Sequence, residues 1–92
     1  MEQEQPKKIR RYTLREARKR LTTLKQYQAA ELIGVSTGTM IQWEQGRNLP
    51  NSKYIDKICE VYGCYRGQLI LKTRKELEEE RQRRMEEKLN GK

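Results

Sequence analysis

Residues 26–46 read QYQAAELIGVSTGTMIQWEQG. Ala29, Ala30 and Ile33 recur at helical spacing, which predicts a short helix from Gln26 to Ile33 with a small inner face. Gly34 follows, where the chain must reverse and a left-handed backbone is needed. Val35 is placed to fill the angle, and Ser36 is a good N-cap for a next helix, Thr37 to Gln45. Met40 and Trp43 point inward on that helix. Thr37, Gly38, Ile41, Gln42 and Gln45 are left for its outer face, and Gly46 ends it.

Two short helices about a tight turn have the form of a helix-turn-helix, a unit that lays its second helix in the DNA major groove. Upstream, Thr13 caps a first helix, and Glu16 three residues on completes a capping box. Leu14, Ala17 and Leu21 give that helix an apolar stripe, with Arg18 unusually close beside it. Downstream, Arg47 to Pro50 form a loop. Asn51 or Ser52 then caps a fourth helix, which Gly63 stops after Tyr62. A fifth helix is expected near Arg66, carrying Leu69, Ile70 and Leu71. No stretch alternates with period two over strand length, so no sheet is expected.

Three segments follow from this reading. Residues 1–11 are a polar, basic arm expected to be disordered. Residues 12–71 hold the helical domain. Residues 72–92 are a charged tail of strong helix formers, expected to be a solvated helix with Glu79–Arg83 and Glu80–Arg84 pairs.

The net charge is +8, and its placement is more telling than its size. Residues 6–25 carry nine Lys/Arg against Glu16 alone, whereas residues 26–71 balance. Beside a groove-reading motif, such a patch favours contact with phosphate. Mean hydropathy is −1.15. No apolar run approaches the ~20 residues of a membrane span, and no signal peptide is visible, which leaves the cytoplasm as the expected compartment. There is no His. With only Cys59 and Cys64 besides, a zinc site of the usual kind is excluded, and both cysteines read as core. No phosphate loop or catalytic carboxylate pair appears, so neither an enzyme nor a cofactor is expected.

Residues 14–71 resemble the DNA-binding domain of phage repressor and Cro-type regulators, the XRE family. The resemblance rests on LREAR at 14–18, Gln26 with Ala30, IGVS at 33–36, WEQG at 43–46, Pro50, and VYG at 61–63. It implies an all-α, five-helix lambda-repressor-like domain, here with a charged helical extension. It also implies that Arg18 and Glu44 form a buried structural ion pair. Gln26, Ser36 and Thr39 match phosphate-facing positions, and Lys25 and Arg47 are read as further phosphate contacts. Thr37, Gly38 and Gln42 match positions that reach base edges. Ile41 flanks them, within reach of a thymine methyl. Lys25 stands where the family prefers a Thr or Ser cap, and Gly38 leaves one reading position without a side chain.

The function implied is a sequence-specific transcriptional regulator of bacterial or phage origin. It would be a Cro-like repressor that occludes a promoter by placing helix 37–45 in double-stranded DNA. Nothing of domain size follows Leu71, so no ligand-sensing domain is expected. A homodimer on DNA is implied, with Tyr65, Leu69 and Ile70 as the candidate surface. Two other readings remain open: an antitoxin-type module that meets a small protein partner through its tail, and a non-specific DNA-binding protein.

Overall fold

Every helix but the second begins at a side chain that takes up a backbone N–H the helix itself leaves unpaired. In α1 (Leu14–Leu21) the Thr13 hydroxyl accepts from the Glu16 N–H, and the Glu16 carboxylate accepts from the Thr13 N–H. In α2 (Gln26–Ile33) the cap is Lys25, whose side chain makes no capping bond. Gln28 Oε1 accepts the Lys25 N–H instead. Ser36 caps α3 (Thr37–Glu44), and Asn51 caps α4 (Ser52–Tyr62). Thr73 and Glu76 form a second reciprocal box at the start of α5 (Arg74–Asn90). The computed structural model describes residues 10–90, with side chains to Glu86. The arm expected over residues 1–11 lies mostly outside these residues.

The fold is all-α, as the sequence implies. The α2–α3 turn closes on Gly34 at φ +96, and α4 ends on Gly63 at φ +70. Both angles are left-handed, where a Cβ would be strained. Ala29 and Ala30 are fully buried and let neighbouring backbones approach α2. Met40 and Trp43 from α3 and Ile58 and Tyr62 from α4 complete the middle of the core. Each large apolar side chain buried there contributes about 1.5–3 kcal/mol. Trp43 also meets Tyr54 of α4 at a tilted 5.6 Å between ring centroids, bracing α3 from behind.

The segment expected to be a fifth helix of the domain is different. Only Arg66–Gln68 turn, as a single 3-10 turn, and Leu69 is extended at φ −100, ψ 137. Tyr12 N–H donates to the Gln68 carbonyl, and Ile70 N–H donates to the Tyr12 carbonyl, both at 2.7 Å. This parallel bridge is the sole β-type pairing among the described residues. The physical reason is the distant Tyr12, whose two hydrogen bonds hold the segment extended. Three apolar residues in a row, Leu69 to Leu71, offer no single helical face, while an extended chain drops Leu69 into the core at 2% exposure. Leu69 therefore cannot belong to a dimer surface, although Tyr65 is 80% exposed.

The tail is helical, but its charges pair otherwise than at four-residue spacing. Glu80 turns back to Lys72, whose ammonium lowers the pKa of that carboxyl. Neither Glu79–Arg83 nor Glu80–Arg84 closes to within 4.0 Å.

Candidate nucleic-acid interface

α3 is held inward by Met40 and Trp43, so helical periodicity presents its other residues to solvent. Thr37, Gly38 and Gln42 are exposed, and Ile41 is half-buried. These four share one face of a helix about 12 Å long. Gly38 has open space around it: an added Cβ would meet only Ser36 Oγ, at 3.8 Å.

Gln42 is not a free rotor. Asn48, from the loop after α3, donates its Nδ2–H to Gln42 Oε1 at 3.1 Å. That leaves the Gln42 amide N–H groups, and a second lone pair on Oε1, facing outward. Nothing in the sequence marks Asn48 for this task, because the contact depends on how the loop folds back.

The phosphate candidates flank this face at both ends. At the start of α3, Ser36 Oγ accepts from the Thr39 N–H and donates to Thr39 Oγ1, each at 3.1 Å. The Thr39 hydroxyl proton remains free to donate outward. At the other end, Gln26 opens α2 and gives its Nε2–H to Glu44 Oε1 at 2.9 Å. Arg47 is exposed just past Gly46, and Lys25 is exposed at the cap of α2.

Glu44 anchors this end. Arg18 Nε donates to its Oε2 at 2.8 Å, and Nη2 donates to Oε1 at 3.0 Å. Arg18 Nη1 donates to the Leu24 carbonyl at 3.1 Å. The side chains of Arg18 and Glu44 are 9% and 3% exposed. The bidentate geometry ties α1 to α3 and fixes the roll of the outward face. The Glu44 carboxylate raises the Arg18 pKa further above its ordinary value.

A family model described as helix-turn-helix matches residues 14–69. The chain belongs to the Cro/C1-type helix-turn-helix family. No curated protein and no solved structure matches it. The helix-turn-helix comprises α2, the Gly34 turn and α3, and the protein is a DNA-binding regulator in the general sense of that family. The family is regulatory rather than usually enzymatic. Among the described residues no helix is long and apolar enough to cross a membrane. No cluster of three or more His, Cys, Asp or Glu there could hold a metal ion.

Proposed function

We propose that this helix-turn-helix protein is a sequence-specific repressor of Cro type. It lays α3 in the major groove of an operator and blocks a promoter by occupancy, in the cytoplasm of a bacterial cell. The observation that carries this is the outward Gln42, steadied by Asn48 and flanked at both ends of α3 by groups able to meet phosphate. Glutamine suits a bidentate contact with adenine N6 and N7, worth ~1–3 kcal/mol of discrimination. Thr37 and Ile41 add hydroxyl and methyl contacts, and Gly38 lets the backbone come close. Ser36 and Thr39 on one side, and Lys25, Gln26 and Arg47 on the other, set the docking. A single α3 covers one half-site, so the repressor acts as a homodimer on inverted half-sites about one helical turn apart.

Selection of binding sites from random DNA tests this directly. The parent should yield an inverted repeat, and Gln42→Ala should lose preference at one position of each half-site with its fold intact. Recovery of no common sequence would refute the reading. It would leave non-specific binding or a protein partner as the chain's business.

A further inference from the structure

The tail lies beyond the residues that the family model matches, yet its first helical residue is seated against the turn that follows α3. The Arg74 N–H donates to the Gly46 carbonyl at 2.9 Å. Gly46 sits at φ +77, and a Cβ there would stand 2.9 Å from the Arg74 nitrogen. Only glycine permits the approach.

Arg74 thereby joins Arg15, Arg47 and Gln26 around one open polar cleft of about 570 Å³, with the Arg18–Glu44 pair as its floor. The floor is spent: both Glu44 oxygens already accept from Arg18, and Oε1 also accepts from Gln26. Arg15, Arg47 and Arg74 have no carboxylate within 4.0 Å among the described residues. Three arginines therefore line one cleft whose one carboxylate is already paired with Arg18. Arg74 also occupies the first position of α5, the end of a helix where a cation is disfavoured. Local stability explains neither arrangement, whereas an anion between the three groups would explain both. A guanidinium is the side chain best shaped for a phosphate oxygen pair.

We propose that this cleft takes a backbone phosphate of the DNA held by α3, and that the tail supplies its third arginine. The proposal rests on α3 being the groove-reading helix. The cleft adjoins the C-terminal end of α3, so the phosphate flanks the bases that Gln42 meets. The tail is thus part of the DNA-contacting surface from its first helical residue.

The test measures binding to the selected operator across salt for the parent, Arg74→Gln and Arg81→Gln, an exposed arginine further along α5. One lost phosphate contact lowers the log–log salt slope by about 0.9, so a rise from 50 to 200 mM salt should cost Arg74→Gln about 3.5-fold less affinity than the parent. Base preferences should be unchanged, and Arg81→Gln should keep the parental slope. A parental slope in Arg74→Gln overturns the cleft while leaving the Gln42 reading intact. Equal slope losses in Arg74→Gln and Arg81→Gln also overturn it, because the effect is then diffuse charge. A parent without base preference, but with an Arg74-dependent slope, overturns the reading of α3 and keeps the cleft. A parent that binds no DNA overturns both.

Discussion

The Arg18 guanidinium grips both carboxylate oxygens of Glu44, 26 residues further along the chain. Each partner would be an uncompensated buried charge without the other. Arg18→Ala should therefore lower unfolding stability by ~3–5 kcal/mol. Urea denaturation checks this, and a variant within ~1 kcal/mol of the parent would show that solvent screens the pair. Replacing both residues by apolar ones of similar volume should cost far less, because no lone charge is left behind.

Gly38 lies inside α3 with no internal need for its missing side chain. Gly38→Ala should stabilise the fold by about 0.5–1 kcal/mol, through helix propensity alone. The same methyl would stand on the outward face of α3. Operator affinity should fall while thermal stability rises, and titration beside a melting curve reads both. Undiminished affinity would mean that the backbone at Gly38 does not approach DNA.

Gly46 and Gly63 share a left-handed backbone but not their surroundings. Around Gly63 an added Cβ meets nothing within 4 Å, whereas at Gly46 it collides with the backbone of Arg74. Gly63→Ala should cost only conformational strain, ~1–2 kcal/mol. Gly46→Ala should cost more and should also free the start of α5, seen as faster amide exchange at Arg74. Equal costs in the two variants would mean that the tail yields without resistance.

One buried and one half-buried group make the fold sensitive to alkali. Burial pushes the Tyr62 phenol well above its ordinary 10.0, and its hydroxyl has no hydrogen-bond partner. Burial, with Cys59 nearby, pushes the Cys64 thiol from 9.0 up to about 11. The unfolded chain loses these protons first. Stability is therefore full below the unfolded values and falls as pH rises through the folded ones. The urea midpoint should hold up to about pH 9 and drop between about pH 9 and about pH 11, and Tyr62→Phe with Cys64→Ser should flatten that drop. At neutral pH, Tyr62→Phe should be neutral or stabilising, since it removes an unpaired hydroxyl.

α1 to α4 were legible because each announces itself locally. Thr13, Ser36 and Asn51 cap, Gly34 and Gly63 stop, and the apolar residues between them keep helical spacing. The Thr73–Glu76 box has the same spacing as Thr13–Glu16, yet no apolar stripe follows it in so charged a run to mark a helix start. Residues 66–71 do not follow the helical expectation because their conformation is set by a partner more than fifty residues away. Periodicity carries no trace of the Tyr12 bridge. The outward face of α3 was legible from Met40 and Trp43, which must turn in. The bonds that steady it, from Asn48 to Gln42 and from Gln26 to Glu44, arise only once loop and helix meet.

The parallel pairing of Tyr12 with Leu69 has a mechanical consequence. The chain enters at one end of this pairing and leaves at the other, so tension between arm and tail would load both hydrogen bonds together, in shear, instead of unzipping them one at a time. A pull on α5 against the arm would meet this clasp before it could peel Leu69 from the core. The domain is latched at its own doorway, and two 2.7 Å bonds are the latch.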